Sequence, residues 1–348
     1  MTKNILRESA SSVLILSGSG LLIALCLAPF GDTPGEGVSL LIQGAFGSLR
    51  RLSETCVKTS PLLFTGLAVA LAFRAGAFNI GAEGQFLLGA MGAAAVGAMV
   101  NSLPGWLAVS LSLLAAVGAG CLWGGIAGAL KAWRGIPEVI STIMLNFIAL
   151  YWLSALVRGP LKESSSGLPE SAPIGLASHL PRLFEGYRVH LGLPIAILLA
   201  VLLHLLLAKT TWGFKMRAVG LNPVASIYSG YSSHRIWALT LALSGALAGL
   251  GGGVEVCGIT FRVYDNYSPG YGYTAIAVAL LARLNMIAVI PTAFFFGALE
   301  QGAGTLQREL DVPLVMVSVV QGLVILLALL VEFKTSGFQA EPIEGEAA

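Results

Sequence analysis

Arg74-Ala-Gly-Ala-Phe-Asn-Ile-Gly-Ala-Glu-Gly-Gln85 sits between two stretches built for lipid, yet lipid should reject it. It carries Arg74, Asn79, Glu83 and Gln85, with helix-loosening glycines at Gly76, Gly81 and Gly84. Upstream, Thr59 to Phe73 has no charge; downstream, none appears from Gly84 to Leu130. Backbone that leaves regular helix at membrane depth must be buried in protein or line a wet cavity, because hydrocarbon offers no hydrogen bonds. Two readings follow. The segment is a broken, re-entrant element near 74–85 serving as pathway or gate, or it is an ordinary short loop at the membrane surface.

Composition decides the setting. Of 348 residues, 56% are hydrophobic and 11% charged, against about 25% charged in soluble domains. The apolar runs approach the ~20 residues that cross a ~30 Å hydrocarbon core. The expected fold is all-α, a polytopic membrane protein of about ten transmembrane helices; the short alternating strands of a barrel are missing from the pattern. Candidate spans are 12–30, 60–74, 85–101, 105–130, 138–157, 191–208, 235–254, 271–283, 286–301 and 313–331. Lys3 and Arg7 before the apolar Val13–Ala28 run resemble a signal peptide, but no A-x-A site follows, so the run reads as a retained first span.

Ten spans place both termini on one side, and Lys3, Arg7 and Lys334 make that side the cytoplasm. Arg50, Arg51 and Lys58 fit this topology only if residues 38–52 form a helix lying in the interface. Residues 1–334 read as a single membrane domain. Within it the hydrophilic 158–190 segment, with Pro160, Pro169, Pro173 and Pro181, is expected to form an irregular extracytoplasmic cap. The tail 335–348, acidic through Glu341, Glu344 and Glu346, is expected to be disordered. Glycine is abundant, at 43 residues; Gly120, Gly124 and Gly128, and again Gly245, Gly249 and Gly253, line single helix faces. Such stripes let helices approach closely, within the chain or between subunits. The four cysteines have no disulfide or zinc spacing. A net charge of +2 gives no reason to expect a nucleic-acid partner.

Phe214 to Tyr231 falls on the expected cytoplasmic side. Asn222 followed by Pro223 starts a helix and Gly230 stops it. Val224, Ile227, Tyr228 and Tyr231 recur at i, i+3, i+4 and i+7, an apolar face on a helix too short to stand alone. It should lie on lipid or in a groove of a soluble partner.

Other polar residues stand in or beside apolar runs, where an unpaired charge is costly. Glu138 after Pro137 suits a helix start. Ser141, Thr142 and Asn146 present a polar stripe, either to a path or to hydrogen bonds between helices. Glu255 is expected in an ion pair with the loop holding Arg262 and Asp265, and Glu300 in plain solvation. His204 reads as packed or snorkelling. No protease or hydrolase motif occurs, so the chain is not expected to be an enzyme.

Gly220-Leu-Asn-Pro-Val-Ala225 with Gly230 resembles the cytoplasmic coupling motif of ABC importer permeases. Phe73-Arg-Ala-Gly-Ala-Phe-Asn-Ile-Gly-Ala-Glu-Gly-Gln-Phe86 resembles the signature of nucleoside-type permeases in the branched-chain amino acid and simple-sugar permease superfamily. Glu138 to Phe147 and Tyr271 to Leu281 are similar to that family too. The resemblance runs from about Pro61 to Leu330, and Val224 departs from it where a polar residue is common.

The resemblance implies a nucleoside importer subunit that pairs with a second permease subunit and a cytoplasmic ABC ATPase. An extracytoplasmic solute-binding lipoprotein would deliver the solute. It assigns ATPase coupling to Arg217, Gly220, Asn222, Pro223, Ala225, Ile227 and Gly230, and the path or gate to Asn79, Gly81, Glu83, Gly84, Gln85 and Asn146. No G-x-x-x-x-G-K-[ST] phosphate loop occurs in this sequence, so ATP and Mg belong to the partner and no cofactor is expected here. A nucleoside path needs hydrogen-bonding groups, which Asn79, Glu83 and Gln85 supply, and ring surfaces, for which Phe78, Phe86, Phe147 and Trp152 are available. A sugar importer and an ATP-independent secondary transporter are the rival expectations.

Overall fold

Ser48 opens the helix that organises the molecule: its hydroxyl accepts from the Arg51 amide at 3.2 Å, and the helix runs unbroken to Arg74. The computed structural model describes residues 35–310 and, beyond them, Val315, Val319, Gly322, Leu323 and Leu326. The expected span 12–30, most of 313–331 and the tail 335–348 lie outside the described residues. Among those described, no β-strand forms; three isolated bridges are the only pairings of that kind.

In order the helices are α1 (Glu36–Phe46), α2 (Leu49–Arg74), α3 (Ala82–Met99), α4 (Gly105–Arg134), α5 (Glu138–Arg158), α6 (Gly192–Lys209), α7 (Thr211–Leu221), α8 (Pro223–Tyr228), α9 (Ser233–Glu255), α10 (Tyr271–Leu281) and α11 (Val289–Leu310). A π-turn at Val256–Thr260 extends α9. Five are long and apolar enough to cross a membrane: α2, α4, α5, α6 and α9 with its extension.

Two expectations are corrected here. The span expected at 60–74 begins at Leu49, and residues 38–52 are not one helix, because the chain breaks at Gly47-Ser48 between α1 and α2. Charged Arg50, Arg51 and Lys58 lie inside this helix and do not end it. The span expected at 271–283 is an 11-residue helix. At 1.5 Å per residue it covers about half of a bilayer core.

Residues 45–301 form the main body. At its centre α2 has 83% of its apolar window buried and α9 61%, whereas α4 and α6 have 22% and α5 28%. Close approach explains the glycine stripes. A Cβ on Gly120 would strike the Gly245 carbonyl, one on Gly124 the Leu241 carbonyl and one on Gly128 the Ala238 carbonyl. The stripes therefore join α4 to α9 within the chain, where van der Waals packing between bare backbones replaces the hydrophobic effect that lipid cannot supply. In the smaller unit, Gly302 faces Leu41 and Gly44 faces Thr305.

The 159–191 cap is irregular and tied down by backbone bonds to the end of α9. Ser171 donates to Val263, Ile174 to Phe261 and Leu180 to Cys257, each at 2.8 Å. Arg262 adds ion pairs to Glu163 at 3.1 Å and Glu170 at 2.7 Å.

Candidate functional site

α2 ends in a Schellman turn. Gly76 takes φ +69, its amide donates to Phe73, and the Ala77 amide donates back to Ala72. The chain then runs without helix to Gly81, and α3 starts at Ala82 with no side chain of its own to cap it. Asn146 of α5 does that work: its Oδ1 accepts from the Gly84 amide at 2.8 Å and its Nδ2 donates to the Ile80 carbonyl at 2.9 Å. Asn79 closes the other side. It exchanges hydrogen bonds with Gln85, accepts from the Gly81 amide at 2.9 Å and donates to Ser244 of α9 at 2.7 Å. Ser244 in turn donates to Ala68 of α2 at 2.6 Å. Unwound backbone at this depth is thus satisfied by Asn146 from a neighbouring helix and by Asn79 within the segment, as hydrocarbon requires.

Glu83 meets a second helix start. Beyond the α9 extension the chain turns back inward, and α10 begins at Tyr271 after Gly270 in the left-handed region at φ +100. Glu83 Oε2 accepts from the Gly272 amide at 2.7 Å, so a carboxylate on the first turn of α3 caps α10. A Cβ on Gly272 would collide with the Glu83 backbone. Thr65 of α2 touches the Tyr271 carbonyl at 3.5 Å. It lies about 14 Å along the helix from Arg74, close to halfway through a hydrocarbon core. α3 and the short α10 therefore meet N-terminus to N-terminus.

The opposite end of the broken segment rests on the polar surface segment. Gly220 of α7 lies backbone to backbone against Arg74, Ala75 and Gly76. Trp237 donates its indole N–H to the Ala75 carbonyl at 3.1 Å, and Lys131 sits 4.3 Å over its ring. Lys131 also pairs with Glu138, whose Oε1 accepts from the Phe78 amide at 3.1 Å. Beyond Gly220, Asn222 caps α8 through the Ala225 amide at 2.9 Å, and Gly230 closes it at φ +83. Leu221, Ile227 and Tyr228 are exposed at 88%, 55% and 89%.

A family profile described as "Branched-chain amino acid transport system / permease component" matches residues 51–329. The chain belongs to this permease family. The permease is 37% identical over 326 residues to the glucose ABC transporter permease protein TsgB13 of Haloferax volcanii, which spans 91% of this chain and 84% of that one. It is also 37% identical over 307 residues to the guanosine ABC transporter permease protein NupP of Bacillus subtilis, covering 87% and 88%. To the nucleoside ABC transporter permease protein NupB of Lactococcus lactis it is 33% identical over 314 residues, covering 88% and 86%. It is an ABC transporter permease and a multi-pass membrane protein.

Within the permease, the residues singled out from the sequence fall into two groups. Asn79, Gly81, Glu83, Gly84, Gln85 and Asn146 come together in one buried cluster. Asn222, Ala225, Ile227 and Gly230 lie exposed on or beside α8, with Pro223 half-buried, whereas Gly220 faces inward and Arg217 is half-buried. Tyr231 leaves the exposed face, packing 6.4 Å from the Phe214 ring. Ser141 and Thr142 are buried beside Asn146, Thr142 bonding back to the Glu138 carbonyl at 2.6 Å.

Three further expectations are corrected. Glu300 is not simply solvated: it pairs with Lys58 at 3.1 Å. Glu255 does not pair with Arg262, which Glu163 and Glu170 hold, and Asp265 of the same loop takes Arg158. That Arg158 contact holds the Asp265 carboxyl below its usual range. Phe86 is fully buried, 5.6 Å from the Tyr271 ring, while Phe78, Phe147 and Trp152 are half-exposed. His204 is exposed on α6. The sequence reading missed α10 as a half-helix and Lys58 as a partner; the clue to the first was the polar run Asp265-Asn-Tyr-Ser-Pro-Gly270 directly before an apolar stretch.

Proposed function

We propose that this permease is the membrane-spanning subunit of an ATP-driven importer that translocates nucleosides or related small solutes. The observation that supports it most is the seating of Gly220 on the Arg74–Gly76 turn, because it links an exposed, pre-capped helix to the start of the broken segment. A separate cytoplasmic ATPase docks on α8 and hydrolyses ATP with Mg; its motion shifts α7, and α7 moves the unwound 77–81 strand against the Asn79–Asn146 cluster. Asn79, Gly81, Glu83, Gly84, Gln85 and Asn146 form the gate. A second permease subunit completes the path. An extracytoplasmic binding protein delivers solute on the side of the 159–191 cap, opposite the coupling segment and the cytoplasm. Relatives named for guanosine and nucleosides support the solute class; the glucose-permease relative, equally similar at 37%, makes a sugar importer the second reading.

Uptake of labelled guanosine, uridine and glucose, in cells with the native ATPase and in cells expressing the chain with residues 222–230 deleted, tests this. We expect nucleoside uptake to need ATP and to vanish in the deletion while membrane insertion persists. Glucose uptake alone would establish the sugar reading. Concentrative uptake by the purified permease without an ATPase would overturn the proposal.

A further inference from the structure

Ala75 and Phe78 bracket the turn on which Gly220 rests, and each gives one backbone group to a side chain of a different helix. The Ala75 carbonyl accepts from the Trp237 indole of α9 at 3.1 Å, and the Phe78 amide donates to Glu138 Oε1 of α5 at 3.1 Å. Lys131 of α4 joins the two: its Nζ pairs with that same Glu138 oxygen and lies 4.3 Å over the Trp237 ring. The Lys131 and Glu138 side chains are 13% and 10% exposed, so the pair is weakly screened and costly to strip of one partner. The platform beneath is stiff. One turn before Lys131, a Cβ on Gly128 would meet the Ala238 carbonyl at 2.8 Å, so α4 and α9 touch backbone to backbone beside Trp237. The turn does not need these side chains for its own shape, because the Gly76 and Ala77 amides already close it onto Phe73 and Ala72. What the three side chains fix is the position of the turn against α4, α5 and α9.

We infer that Lys131, Glu138 and Trp237 are positioning residues, a latch that holds the Arg74–Phe78 turn in place until the ATPase moves α7. α7 bears on the same turn through Gly220. Displacing the turn breaks the Ala75 and Phe78 bonds together, because one lysine secures both of their partners. The latch thus sets a threshold: thermal motion of the unwound 77–81 strand falls below it, and the stroke delivered through α7 exceeds it. Without the lysine, Glu138 loses its counter-charge and the Trp237 ring its cation, so the turn shifts without a stroke and hydrolysis loses its tie to transport. The latch rests on the ATP-driven import reading, and its first measurement needs no transport.

Hydrogen exchange of the permease alone in nanodiscs reads the turn directly. Lys131→Met should speed exchange of the 75–81 amides about tenfold and leave those of α2 and α9 as in the parent, since one charge-assisted hydrogen bond is worth about that factor. Lys131→Arg, which keeps the charge, should restore the parent rate. Trp237→Phe keeps a ring under the cation but drops the Ala75 bond, and should fall between. In proteoliposomes with the ATPase and the binding protein, Lys131→Met should raise solute-free ATP hydrolysis about tenfold and lower the guanosine moved per ATP by a similar factor, with Lys131→Arg again like the parent. Faster exchange throughout the helices of Lys131→Met would make the pair general support of the fold and overturn the latch. An unchanged rate at 75–81, or local loosening with hydrolysis and transport coupled as in the parent, would overturn it as well. Local loosening and faster hydrolysis in a complex that moves neither guanosine nor glucose would sink the import reading and leave the latch standing.

Discussion

Asn146 carries two of the hydrogen bonds that make an unwound strand tolerable at membrane depth, one as acceptor and one as donor. Asn146→Ala leaves the Gly84 amide and the Ile80 carbonyl without partners and should cost about 2 kcal/mol. Thermal unfolding of the two proteins in nanodiscs checks the loss. In the sequence the Ser141-Thr142-Asn146 stripe reads equally well as a path lining and as glue between helices. Residue type and spacing place a polar group on a helix face, but its partners at Ile80 and Gly84 lie more than sixty residues away in the chain. Glu255 shows the same limit: Arg262 is near in sequence, yet the cap residues Glu163 and Glu170 claim it first.

Helix ends set by local chemistry were legible, and the depth at which a helix starts was not. Asn222, Pro223 and Gly230 delimit α8 where their capping preferences place it, because a cap satisfies backbone groups within one turn. α10 reads as a full span because its apolar run is continuous; only its 11-residue length in the fold, with its first turn capped by Glu83 of another helix, shows it to be short. The glycine stripes, by contrast, made a definite promise about contact. A Cβ at Gly120 meets backbone, whereas at Gly118 nothing lies within 4 Å. Gly120→Leu should therefore force α4 from α9 at a cost of about 3 kcal/mol or more and collapse the monodisperse fraction in detergent. Gly118→Leu should be tolerated, and equal behaviour of the two variants would contradict the packing described.

At the scale of the molecule, the 159–191 cap ties stability to pH through His190. The imidazole is 1% exposed, its Nδ1 accepts from the Gly192 amide at 3.1 Å, and burial, with Arg188 adding, pushes it down to about 4. An unfolded chain takes up that proton near pH 6.5. The stabilisation is thus fully present above pH 6.5 and is lost as pH falls toward 4, by about 3 kcal/mol in all. Melting temperatures at pH 7.5 and 4.5 should differ less in His190→Gln than in the parent. Charge placement bears on the resting state as well. Glu83 has the first turn of a neighbouring half-helix in place of a lysine, so parting α3 from α10 strands an oxygen and an amide together in a setting without water. Separating the two helices therefore requires another donor and another acceptor to be supplied in exchange.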